Sequence, residues 1–151
     1  MKRLHQAGFS LVEILLVLGI LVLITVVMID GFSSYAYRQV LTQFSSGVRD
    51  ELIEARQQTI ASFKNTTYGV YVGTSTIEFF PGAMPEVGSS TNTIIAIPEQ
   101  IVATSSFSTG DWYLTFHRLT GEATATGTIT MFDTRTVATS TITISASGLV
   151  E

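Results

Sequence analysis

Gly8-Phe9-Ser10-Leu11-Val12-Glu13 opens an apolar run that continues to Ile29, built almost wholly from Leu, Val, Ile, Met and Phe. As a helix, residues 9–29 would be roughly 31 Å long at ~1.5 Å per residue. That matches the ~30 Å hydrocarbon core of a bilayer. Glu13 is the one charge inside the run. An ionisable side chain in lipid costs roughly 2.5 to 3.5 kcal/mol even on the lenient insertion scale, so it marks a functional position by default. Lys2 and Arg3 are too polar to follow the acid into lipid. A cut between Gly8 and Phe9 would supply a different cation, a new amino terminus four residues before Glu13. Both basic residues precede the run, so the positive-inside bias leaves Met1 in the cytoplasm and the bulk of the chain outside.

Two plainer readings compete. A secretory signal peptide also has basic residues before an apolar core, but that core is usually about 7 to 15 residues and ends at a small-residue cleavage site. Here the run is longer and no Ala-x-Ala follows it. An uncleaved single-pass anchor fits the length and leaves Glu13 unexplained.

The helical pattern continues beyond the run. Tyr37, Val40, Leu41, Phe44, Val48, Leu52, Ala55, Thr59 and Phe63 recur at steps mostly of three and four, which places them on one face. Gln39, Gln43, Ser46, Arg49, Asp50, Glu54, Gln57 and Gln58 fall largely elsewhere. The first proline is Pro81, so the spacing predicts one helix over about residues 9–63, on the order of 80 Å long. Gly31 is its weak point, since glycine in a helix interior costs roughly 1 kcal/mol relative to alanine. Lys64-Asn65 supplies a stop: a cation suited to the carboxyl end of the dipole, then a residue that tolerates left-handed backbone.

After Thr66 the period changes to two. Tyr68, Val70 and Val72 alternate with Gly69, Tyr71 and Gly73, and Ile77 with Phe79 follow before a turn at Pro81-Gly82. Residues 81–92, rich in Pro, Gly and Ser, read as a loop. Further strands are expected at 93–97, 100–103 and 112–119, the last with Trp112, Leu114 and Phe116 on one inward face. Thr120-Gly121-Glu122 reads as a hairpin turn. Strands at 128–132 and 139–145 bring Ile129, Met131, Ile142 and Ile144 inward, while threonine dominates the open face. A strand region of this size is marginal alone. The expectation is therefore one antiparallel sheet wrapped over Phe44, Val48, Leu52, Ala55 and Phe63, sharing a core with the helix.

Composition narrows the function. The chain of 151 residues has a net charge of -4, which becomes -6 if residues 1–8 leave with Lys2 and Arg3. After Lys64 only Arg118 and Arg135 are basic. That balance disfavours nucleic acid, which needs clustered Lys and Arg. There is no cysteine, so neither disulfides nor thiol chemistry are available. His5 lies in the leader, and His117 alternates outward from the apolar face of its strand. No serine sits in a nucleophile motif. Asp111, Glu122 and Asp133 are separated by strands and no calcium-loop pattern exists, so neither metal nor cofactor is expected. Trp112, Tyr113 and Phe107 are candidates for an exposed recognition patch, although aromatics at strand starts are more often core.

At Lys2, Arg3, Gly8, Phe9 and Glu13 the sequence resembles the type IV pilin and pseudopilin family, whose amino-terminal pattern is a short basic leader, Gly, Phe, a few small or apolar residues and Glu. Helix end Glu54-Ala55-Arg56, the strand Tyr68-Gly69-Val70-Tyr71-Val72 and the late Ile142-Thr143-Ile144 and Gly148 spacing are most similar to the H-class minor pseudopilins and related minor pilins. The resemblance implies an α+β pilin fold and four segments: leader 1–8, transmembrane and assembly helix 9–29, amphipathic half-helix 30–64, and β-rich head 65–151. It implies cleavage by prepilin peptidase between Gly8 and Phe9, methylation of Phe9, and an assembly role for Glu13 against a neighbouring subunit's Phe9 amine. The implied partners are other pilin subunits, the peptidase and inner-membrane lipid, with the head periplasmic or extracellular. Many major pilins carry a helix-breaking proline where this chain has Asp30. A filament-tip adhesin or ligand-binding minor pilin, and a plain anchored exported domain, stay open as alternatives.

Overall fold

The computed structural model describes residues 10–151, and for residues 27–36 the backbone alone. Gly8 and Phe9 lie outside the described residues. The chain divides into two compact units, one ending at Ala36 and the other Tyr37–Glu151. Helix α1 is Leu11–Ile60. Its first turn is closed by Ser10, whose Oγ and carbonyl oxygen accept from the Glu13 backbone N–H at 3.2 and 3.1 Å.

Within the second unit, α1 buries Leu41, Phe44, Val48, Leu52, Ala55 and Thr59, the face its spacing predicts. Phe63 departs from that expectation. The helix ends at Ile60 and Ser62 takes left-handed backbone at φ 52°, so the chain turns away before Phe63 can continue the stripe. Phe63 is exposed and stacks on Tyr68 at 6.5 Å between ring centroids. Asn65 adopts the left-handed conformation its place at the stop suggests, at φ 57°.

Seven strands follow: β1 Tyr68–Val72, β2 Thr76–Pro81, β3 Thr93–Ala96, β4 Ile101–Phe107, β5 Tyr113–Thr115, β6 Gly127–Asp133 and β7 Thr139–Ile144. They form two antiparallel sheets where the sequence suggested one, ordered β3-β2-β1-β5 and β4-β6-β7. The break falls at Ile97-Pro98-Glu99-Gln100. Pro98 has no N–H for a ladder, and its carbonyl accepts from Ile101 N at 2.8 Å, turning β4 out of the first sheet. Both sheets still contribute to one core. Val70, Ile77, Phe79 and Leu114 meet Ile129, Met131, Ile142 and Ile144 around the buried face of α1.

Arg56 ties the last turns of α1 to two loops. Its Nε donates to Gly121 O at 3.1 Å and its Nη2 to Ser147 O at 3.2 Å. Gly148 beside them sits at φ +74°, and a Cβ there would lie 1.9 Å from Gly121 O. Only glycine satisfies both constraints.

Candidate assembly helix and the surface of the head

Residues 11–26 of α1 are exposed on every side, from Leu11 at 75% to Ile24 at 48%. A helix that is apolar all round is one that other molecules bury. Its one hydroxyl is satisfied within the helix: Thr25 Oγ1 donates to Val22 O at 2.8 Å and to Leu21 O at 3.0 Å. Among the described residues no helix is long and apolar enough to cross a membrane. The expected span over residues 9–29 extends beyond the side chains described here.

Glu13 stands exposed in the first turn of α1. Ser10-Leu11-Val12-Glu13 also has the S-x-x-E form of a capping box, and the serine half of that box is formed. The spacing that marks the cap was unread in the sequence: Ser10 satisfies the Glu13 backbone donor, and the acid stands at the positive end of the helix dipole. Gly8 and Phe9, the expected cleavage and methylation positions, lie outside the described residues.

On the head, the three aromatics considered as a patch part company. Phe107 is buried, and Tyr113 is half-buried, packing edge-on to Phe80 at 6.2 Å. Trp112 is 69% exposed, against the expectation that it shares the core with Leu114 and Phe116. The reason is position: Trp112 precedes β5 and lies opposite Val72, the last residue of β1, whose N–H donates to Trp112 O at 3.2 Å, so the indole stands at the open end of the sheet. His117 is exposed as expected, but it lies past β5, which ends at Thr115 and is shorter than the strand expected over 112–119.

Two buried carboxylates were not visible in the sequence. Glu78 Oε2 accepts from Gly88 N at 2.8 Å and Asn92 Nδ2 at 2.9 Å, while Oε1 accepts from Thr76 Oγ1 at 3.3 Å. Burial pushes this carboxyl up, but together the three donors hold it below the usual carboxylate range. Asp133 is fully buried, and its Oδ1 accepts from the N–H groups of Arg135 and Thr136 at 2.8 and 3.2 Å. Burial again raises it; those amides, the Thr136 side chain and the Arg135 charge outweigh burial and lower it. Arg135 lies over the Tyr37 ring at 5.0 Å and donates to its hydroxyl at 2.8 Å, fastening the β6–β7 hairpin to α1. Both acids therefore hold loops in place. The available signal was an acid set directly against apolar strand residues, Ile77-Glu78-Phe79 and Phe132-Asp133.

Among the described residues no group of three His, Asp or Glu side chains is placed to hold a metal ion. No protein-family model matches the sequence, and no curated protein matches it. Among solved structures, the crystal structure of the type IV minor pilin FimU from Pseudomonas aeruginosa is similar, with a TM-score of 0.57 at 13% identity. The match covers 76% of this chain and 88% of that one. The fold is thus α+β and of pilin type, as the resemblance implied.

Proposed function

We propose that this chain, with the fold of a type IV minor pilin, is a structural subunit of a type IV pilus or secretion pseudopilus and not an enzyme. The observation that carries the reading is the bare apolar surface of residues 11–26 on a pilin fold. Prepilin peptidase removes residues 1–8 after Gly8 and methylates Phe9. The helix resides in the inner membrane until it is drawn into a filament, where neighbouring helices cover what lipid covered before. Glu13 then sets the register by meeting a neighbour's Phe9 amine. Each charge alone would be strongly penalised in low dielectric, and the pair satisfies both.

The Ser10 cap beside Glu13 gives this proposal a sharp test. Glu13→Gln keeps a capping-box residue and removes the charge, whereas Ser10→Ala removes the cap hydrogen bond and keeps the charge. Terminal mass spectrometry follows leader removal, and sheared filaments report incorporation. Charge pairing predicts normal processing of both variants, with incorporation lost in Glu13→Gln and largely kept in Ser10→Ala. Normal incorporation of Glu13→Gln refutes the register role, and intact residues 1–8 in the wild-type chain refute processing.

A further inference from the structure

Trp112 is the sole tryptophan of the chain and one of the most exposed apolar side chains of the head. It forms one wall of a groove of about 300 Å³, with Asp111 and Gly110 beside it, Thr74 at the β1–β2 turn, and Thr104 and Ser105 of β4 opposite. This volume lies at the small end of the range for small-molecule sites. No Lys or Arg lines the groove. The side chains of Thr74, Ser105 and Asp111 hydrogen-bond none of the described residues, so the exposed indole stands beside two free hydroxyls and a free carboxylate, while Thr104 alternates to the other face of β4. In the β4–β6 ladder, Ser108 N donates to Thr126 O at 2.8 Å and Thr134 N to Gln100 O at 2.9 Å. Alternation from those rungs turns the backbone groups of Ala103 and Ser105 away from β6, onto the groove side.

We infer that this groove is a saccharide subsite, in which a neutral pyranose stacks its C–H face on the Trp112 indole and hydrogen-bonds Asp111, Thr74 and Ser105. An aromatic plane suits the apolar face of a sugar ring. A carboxylate and small hydroxyls suit its vicinal hydroxyl groups, and each such polar group fixes orientation. Asp111 and the missing cations exclude anionic sugars, since a like charge at close range disfavours binding. The subsite is independent of events at the amino terminus: leader processing and filament incorporation can fail without touching it.

Because Trp112 is the only tryptophan, its emission reports this groove alone. The test titrates the full-length chain, held in a polyoxyethylene detergent without a sugar headgroup, with maltotriose, cellotriose and triacetylchitotriose. At least one should give a saturable emission change with a dissociation constant on the order of 1 mM. Asp111→Ala should weaken it about tenfold by fluorescence, and Trp112→Ala about as much by calorimetry, since buried aromatics at binding sites carry most of the affinity. Circular dichroism melts matching the wild type verify that both variants fold. Absence of a saturable change with all three sugars overturns the proposal, as does unchanged affinity in Asp111→Ala. Tighter binding of sialyllactose overturns the neutral class. Tighter binding of a neutral Val-Thr hexapeptide reassigns the groove to strand addition along β4.

Discussion

Replacing Glu78 separates the charge of a buried acid from its shape. The carboxylate accepts three hydrogen bonds, from Gly88 N, Asn92 Nδ2 and Thr76 Oγ1, and these fasten the loop of residues 82–92 against β2. Glu78→Ala removes the acceptor of all three donors, at up to about 1 to 3 kcal/mol for each group left unsatisfied, although Asn92 Nδ2 keeps its bond to Glu86 O. Partial exposure of the loop reduces this, and the expected loss at pH 7 is about 2 to 4 kcal/mol. Glu78→Gln keeps an oxygen for Gly88 and Asn92, and turns its amide to Thr76, whose hydroxyl can accept. It loses the charge assistance, which roughly doubles a hydrogen bond's strength, so about 1 to 2 kcal/mol is expected.

The pH dependence has a definite sign. Glu78 is held below its usual range in the folded state, so its ionised form is favoured by folding. Its contribution is full above the unfolded value of about 4.3 and is lost as pH falls through the lower folded value. Urea unfolding of the full-length chain at constant detergent, followed by circular dichroism, measures both effects. At pH 7 the midpoint of Glu78→Ala should fall by about 1 to 2 M, given a slope of roughly 2 kcal/mol per M. The gap between wild type and Glu78→Gln should be present at pH 7 and smaller at pH 3. A gap of equal size at both pH values, or Glu78→Ala within about 0.5 kcal/mol of wild type at pH 7, refutes the reasoning.

Other positions give separate checks. Gly148→Ala combines a left-handed backbone penalty of about 1 to 2 kcal/mol with a backbone clash at Gly121 O, so a loss above 2 kcal/mol is expected; an unchanged urea midpoint would contradict the tight approach of the two loops. Leu52→Ala empties a fully buried position where α1 meets the strands and should cost about 2 to 5 kcal/mol in the same assay. A loss below about 1 kcal/mol would mean that α1 does not share the core.

The helix was legible because its signal is periodic and local. Leu41 through Thr59 lie where steps of three and four place them, and Asn65 occupies the left-handed backbone expected of a stop. The alternating strands were legible for the same reason, with Val70, Leu114, Ile129, Met131, Ile142 and Ile144 all inside. Phe63 shows the limit of periodicity: the stripe predicts its face only while the helix lasts, and the left-handed Ser62 ends it. Trp112 shows another limit. Alternation groups it with Leu114 and Phe116, but burial requires a segment to cover it, and Trp112 stands at the open end of the sheet, before β5 begins and opposite the last residue of β1. Glu13 was visible as an odd acid, while its place in a capping box went unread.

Sequence by itself determined the apolar run with its lone acid, the extent of the amphipathic face, the strand residues that face inward, and the absence of cysteine. These are properties of residue type and spacing along one segment. Only the tertiary structure decided that the strands divide into two sheets at Pro98, that Glu78 and Asp133 are buried anions holding loops, and that Trp112 stands open beside free hydroxyls. Each of those depends on which distant segment arrives to pair with, cover or leave bare a given side chain. Residue spacing carries no record of that arrival.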